Sequence, residues 1–180
     1  MELIKDCDDR LTTGFIGTPY ILEALGKNNR MDAAYKLLLS EKYPSWLYSV
    51  NKGATTMWEH WDGIKEDGSF WPVGMNSYNH YAYGSVFSFI FEWVVGIKII
   101  KPGYKEIIIQ PHPNKKLGTV STLFKSVNGD ISVKWKYENN KIKYDIAFNK
   151  NINGKVIINN KEMEIKLIDD KKVVKVETNE

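Results

Sequence analysis

The 180-residue sequence is poor in cysteine, histidine and proline. Its one cysteine, Cys7, excludes a disulfide within the chain and any zinc cluster built from thiolates, and it reads as a bystander. The three histidines, His60, His80 and His112, stand too far apart for a metal-binding motif, so no metal is expected. The longest apolar stretch, residues 86–100, is interrupted by Glu92 and Lys98 and is too short and polar to span a bilayer. The opening run MELIKDCDDR is charged and lacks an apolar h-region, so a cytoplasmic chain is expected. An excess of one charge is also missing. Lys and Arg number 25 and Asp and Glu 22, a net of +3 with no basic block, which argues against nucleic acid as a partner. No GxSxG, P-loop or GxGxxG motif occurs, which removes the common serine-hydrolase and nucleotide-binding readings.

What is present changes texture once along the chain. The first hundred residues read as helix and loop. Thr18-Pro19 opens a helix, with Thr18 as a candidate cap and Pro19 where a missing N–H costs nothing. Ile21, Leu22 and Leu25 share its face, and Gly26, Asn28 and Asn29 end it. A second helix is expected over residues 31–40, with Ala33, Ala34, Leu37 and Leu38 on one face, giving a helical hairpin. Residues 41–75 hold no sustained period but carry Trp46, Trp58, Trp61 and Trp71; short strands are expected at 45–50 and 55–58. A loop this long in a compact domain points to function. Residues 76–96 read as one long helix, apolar on nearly every side, with Asn76 and Ser77 as its caps. Three helices of this kind cannot cover one another, so the half looks like a slice of a larger helical domain.

After Pro102-Gly103 the period falls to two residues. Strands are expected over 106–110, 119–126, 131–137, 142–148, 155–158, 162–167 and 173–177, with turns at Asn128-Gly129, Asn139-Asn140, Asn153-Gly154, Asn159-Asn160 and Asp169-Asp170. Lys134, Lys136, Lys141 and Lys143 alternate with Val133, Trp135, Ile142 and Tyr144, the pattern of strands with one solvated face. Short strands at this spacing predict a β-sandwich.

Two constellations carry possible chemistry. In ATTMWEHWDG, residues 54–63, Trp58 and Trp61 bracket Glu59 and His60, and Asp62 follows. Aromatic faces stack on the C–H face of a sugar while a few polar groups fix its hydroxyls, and a partly desolvated carboxylate suits acid–base work. The same residues would equally make a packed corner around a salt-bridged glutamate. In NSYNHYAY, residues 76–83, Asn79, His80 and Tyr83 would sit near a helix start, facing either a polar ligand or the core.

The runs TGFIGTPYILEAL (13–25), AYKLLL (34–39), YPSWLY (43–48), GATTMWEHWDG (53–63), GMNSYNHYAYGSV (74–86) and PGYKEIIIQPHP (102–113) resemble the C-terminal third of bacterial α-L-rhamnosidases, glycoside hydrolase family 78. The resemblance implies an α+β chain: the end of an (α/α)6 barrel over residues 1–101, then a small antiparallel β-sandwich over 102–180. It implies inverting hydrolysis of terminal α-L-rhamnose without a cofactor or metal. Glu59 falls on the family's general base and His80 on a residue lining the sugar pocket; Trp58 and Trp61 would help to wall it. The family's general acid belongs to an earlier motif that these 180 residues do not contain, so the expectation is a C-terminal piece of a longer enzyme, inactive alone. The implied partners are a rhamnose-containing saccharide or glycoside and either a second copy or the missing part of the barrel, not nucleic acid or membrane. The competing reading is a non-catalytic carbohydrate-binding or assembly module.

Overall fold

The structure, a computed structural model, describes residues 10–179, so Cys7 and the charged opening run lie outside the described residues. The chain divides into two compact units between Phe89 and Ile90.

The first unit holds α1 (Thr18–Lys27), α2 (Met31–Leu38) and α3 (Trp46–Asn51), then a long loop leading through a 3₁₀ turn at Ala82–Ser85 into α4 (Val86–Phe89). Leu22 and Leu25 of α1 and Ala33, Ala34, Leu37 and Leu38 of α2 are buried, as their spacing requires. Thr18 is not a cap. Gly17 occupies the cap position, and Thr18 lies inside the first turn. The Thr18 hydroxyl donates to the Thr13 carbonyl at 3.1 Å and its N–H to the Gly14 carbonyl at 3.0 Å, so it pins the entry loop instead.

Two other expectations fail here. Residues 45–50 form no strand: Ser45 is extended and its hydroxyl accepts from the Tyr48 N–H at 3.0 Å, an N-cap that starts α3 despite the strand-favouring Trp, Tyr and Val that follow. Residues 55–58 form no strand either. The long helix over 76–96 does not exist as one element. It begins at Ala82, runs through α4 and ends as a π-helical turn, Ile90–Val95, so Asn76 and Ser77 cap nothing and His80 precedes the helix. The Ser77, Tyr78 and His80 side chains bond loop backbone instead of supporting a helical ladder.

The second unit opens with that π turn, closed by the Gly96 N–H donating to the Phe91 carbonyl at 3.1 Å. One sheet has the order β1-β2-β6-β7, with β1 at Ile97–Lys101, β2 at Glu106–Ile109, β6 at Asn153–Ile158 and β7 at Lys161–Glu162. The other has the order β3-β4-β5-β9-β8, with β3 at Thr119–Ser126, β4 at Gly129–Glu138, β5 at Lys141–Asn149, β8 at Lys166–Ile168 and β9 at Lys171–Asn179. Every pair is antiparallel except β2 with β6, which is parallel. Ile107, Ile109, Val156 and Ile158 of one sheet and Ile131, Val133, Trp135, Ile146 and Phe148 of the other are fully or nearly fully buried. Phe148 comes so close to Gly154 that a Cβ there would lie 2.9 Å from its ring, which is how the two layers meet. The Trp135 indole N–H donates to the Val94 carbonyl at 3.0 Å, satisfying a carbonyl at the end of the π turn.

The turns divide differently from expectation. Asn139-Asn140, Asn159-Asn160 and Asp169-Asp170 have positive φ at both positions, the type I′ geometry of tight hairpins. The two Asn-Gly pairs do not. Asn153-Gly154 lies inside β6, and Gly129, at φ 118, opens β4 after Val127 and Asn128.

Candidate active site

The two motifs are joined into one unit by hydrogen bonds between residues 18 and more apart in sequence. The Glu59 N–H donates to the Ser77 carbonyl at 2.8 Å, and the Ser77 N–H donates back to Glu59 Oε2 at 2.8 Å. The His80 N–H donates to the Met57 carbonyl at 2.8 Å, and the Thr56 hydroxyl donates to the Tyr78 carbonyl. Glu59 and His80 are therefore carried on two segments locked side by side. One oxygen of Glu59 is held by a charge-assisted bond, while Oε1 has no partner among the described residues. A carboxylate with one oxygen anchored and one free is oriented yet still able to take a proton.

His80 lies between two rings. Phe15 stacks on it at 4.8 Å and Tyr81 at 5.0 Å, with interplanar angles of 21° and 22°. Its Nδ1 accepts from the Ala82 N–H at 3.4 Å, so the neutral ring carries its proton on Nε2 and presents a donor. Phe15 and Tyr81 are functional candidates that sequence reading passed over. Tyr81 is adjacent to His80 in the quoted run, but Phe15 comes from the loop before α1, and nothing local in the sequence ties it to residue 80.

Trp58 and Trp61 are interior side chains, 5% and 9% exposed. Trp58 meets Tyr78 edge-on at 5.4 Å and packs so tightly on Gly63 that a Cβ there would lie 2.7 Å from its ring. Trp61 stacks on Tyr83 at 3.7 Å and meets Trp46 edge-on at 5.3 Å. The Trp46 indole N–H donates to the Tyr83 carbonyl at 2.9 Å, and burial pushes the Tyr83 hydroxyl pKa up. The two tryptophans thus form the packed base on which the segment carrying Glu59 rests. Asp62 accepts from the Trp71 indole N–H at 3.2 Å, and His60 stacks on Trp71 at 4.9 Å with Nε2 at 2.9 Å from the Met75 carbonyl. Among the described residues no three His, Cys, Asp or Glu side chains converge as a metal site, and no helix is long and apolar enough to cross a membrane.

This unit also holds buried polar atoms without partners: the Asn76 amide, the Trp61 indole nitrogen and the Ser85 hydroxyl are removed from solvent with no hydrogen-bond partner among the described residues. Phe70, Val73, Met75, Tyr81 and Phe87 of this unit are exposed, Val73 almost completely.

Comparison with known proteins accounts for the motifs. Residues 1–94 match the family described as the bacterial alpha-L-rhamnosidase 6 hairpin glycosidase domain, and residues 96–174 match the bacterial alpha-L-rhamnosidase C-terminal domain. An alpha-L-rhamnosidase of Alteromonas sp. (strain LOR) is 44% identical over 135 residues, which cover 75% of this chain and 15% of that protein. One from Formosa agariphila is 38% identical over 158 residues, 88% of this chain and 17% of that protein. The crystal structure of Streptomyces avermitilis alpha-L-rhamnosidase complexed with L-rhamnose aligns with a TM-score of 0.85 and 34% identity, over 99% of this chain and 18% of that one. The chain thus spans less than a fifth of the length of these relatives. It belongs to the bacterial α-L-rhamnosidase family, with the end of the six-hairpin glycosidase domain followed by the C-terminal β domain.

Proposed function

We propose that these residues are the C-terminal part of an inverting α-L-rhamnosidase, with Glu59 as the general base that activates the attacking water. The observation that carries this reading is the reciprocal bonding of Glu59 and Ser77, which fixes the carboxylate and leaves Oε1 without a partner. In inversion a base deprotonates water on one face of the ring while a separate acid protonates the leaving oxygen, the two carboxyl groups standing about 6.5–9.5 Å apart. His80, with a proton on Nε2, would donate to a sugar hydroxyl, and the stacked rings of Phe15 and Tyr81 hold the imidazole plane. Trp58 and Trp61 act from beneath, as the wall that fixes the segment of residues 58–62. The acid lies outside these 180 residues, on helical hairpins that cover the exposed apolar side chains.

The test is hydrolysis of a chromogenic α-L-rhamnoside by this chain, with Glu59→Gln beside it. No turnover by either is the expected result. Turnover that Glu59→Gln abolishes would mean that a second carboxylate, Asp62 or one supplied across an association interface, serves as acid, and the incomplete-pair reading would fall. In a longer enzyme containing these residues, Glu59→Gln is expected to lower kcat by about 10²–10⁴-fold. An unchanged kcat there would remove Glu59 from the mechanism.

A further inference from the structure

The second unit is basic out of proportion to the whole chain. Residues 90–180 carry 17 lysines against 11 Asp and Glu, a net of +6, whereas residues 1–89 carry 8 Lys and Arg against 11 Asp and Glu, a net of −3. The excess is organised on the solvated face of the five-stranded sheet. There Lys134, Lys136, Lys143, Asp145, Lys175 and Glu177 line a shallow groove of about 450 Å³. The strand register arranges them in rows across β4, β5 and β9. Lys134 faces Asp145, which faces Lys175; Lys136 faces Lys143, which faces Glu177.

Two features of these rows bear on what they could hold. Lys136 and Lys143 stand directly opposite each other, and like charges opposed across a ladder are destabilising. The pair is tolerated because Glu138 bridges both, at 3.0 and 2.6 Å. Lys134 is exposed and has no ion-pair or hydrogen-bond partner among the described residues. Lys175 pairs with Asp145 at 3.3 Å, and Glu177 pairs with Lys141 at 2.7 Å and Lys143 at 3.8 Å. Side chains two apart on a strand repeat roughly every 7 Å, so the groove offers cations at repeating intervals with carboxylates between them.

We infer that this groove binds an anionic saccharide chain, one bearing a carboxylate or sulfate on its sugar units, with Lys134, Lys136, Lys143 and Lys175 on the anionic groups and Asp145 and Glu177 accepting from hydroxyls. A nucleic acid fits worse. The aromatic side chains Trp135, Tyr144 and Phe148 of these strands are buried and offer no stacking platform for bases. The choice of saccharide over other polyanions rests on the rhamnosidase reading. The binding itself is tested without hydrolysis, so either can fail alone.

The experiment is affinity electrophoresis of the chain through gels containing polygalacturonate, dextran sulfate or neutral dextran, with double-stranded DNA as a soluble competitor. Retardation by a charged polymer but not by dextran is expected, weakening as salt rises, and the stronger of the two gels identifies carboxylate or sulfate as the partner. The double variant Lys134→Glu with Lys175→Glu should lose at least tenfold in affinity. Its control, Lys161→Glu together with Lys166→Glu, makes the same charge change away from the groove and should lose less than threefold. Equal losses in both doubles would reduce the effect to net charge and overturn the site. So would equal retardation by dextran, no retardation in any gel, or displacement by DNA as effective as by the free polysaccharide.

Discussion

Gly96 and Gly53 share a left-handed backbone, at φ 89 and φ 88, but not a neighbourhood. A Cβ on Gly96 would fall 2.3 Å from the Gln110 carbonyl carbon, backbone that cannot step aside because the Gln110 N–H is bonded to the Gly96 carbonyl at 2.8 Å. Around Gly53 the space is open. Gly53→Ala should therefore cost about 1 kcal/mol, the conformational penalty alone, and Gly96→Ala at least about 2 kcal/mol through added overlap. Urea unfolding of the two variants checks the difference; equal losses would mean that the chain relaxes around residue 96. Charge acts at the same scale on Glu138. Hydrogen bonds from Lys143 and Lys136 and their charges lower its carboxyl pKa from 4.5 to about 2. Because the folded value is depressed, its contribution is present in full above 4.5 and is lost as the pH falls towards about 2. A carboxyl-detected NMR titration should find Glu138 ionised at pH 3.5, and Lys143→Met should move its midpoint upward.

Turn chemistry decides at the scale of elements. The Asn139-Asn140 turn joins β4 to β5 with both residues left-handed. Asn140→Gly should stabilise the second unit by up to about 1 kcal/mol, and Asn140→Ala should destabilise it by a similar amount, measured by thermal unfolding. In the first unit Ser45→Ala removes the acceptor for the Tyr48 N–H and should cost about 1 kcal/mol. Strand boundaries were legible to within one or two residues because burial alternates strictly along β4 and β5. Two exceptions stand out: the strand expected over 162–167 is split into β7 and β8, which belong to different sheets, and β1 was missed. The exposed Ile99 and Ile100 of β1 and its place between the expected helix and Pro102-Gly103 hide it, and only pairing with β2 defines it as a strand. The parallel β2–β6 pair was equally hidden, since alternation records which face is buried and not the direction of the neighbour.

For the molecule as a whole, the contrast lies between one unit that closes its own core and one that does not. Ile16, Tyr20, Phe70, Val73, Met75, Tyr81 and Phe87 are large apolar side chains left exposed on the first unit, the kind of surface that drives association. Sedimentation velocity of this chain should therefore show concentration-dependent association into dimers or larger species. A single monomeric species across a wide concentration range would mean that these side chains rearrange among themselves.

The sequence alone determined the helical hairpin, the period-two second half and the two motifs around Glu59 and His80. All of these are local: side chains three, four or two positions apart settle which face is buried. It did not determine what the motifs do to one another. The bonds from Glu59 to Ser77 and from His80 to Met57, the ring of Phe15 on His80, and the sinking of Trp58 and Trp61 into the packed base all join residues distant in the chain. Such contacts leave no periodicity, because their partners are chosen by where the whole fold brings the backbone. Only the tertiary structure could decide whether aromatic rings around a carboxylate stand open or hold it from below.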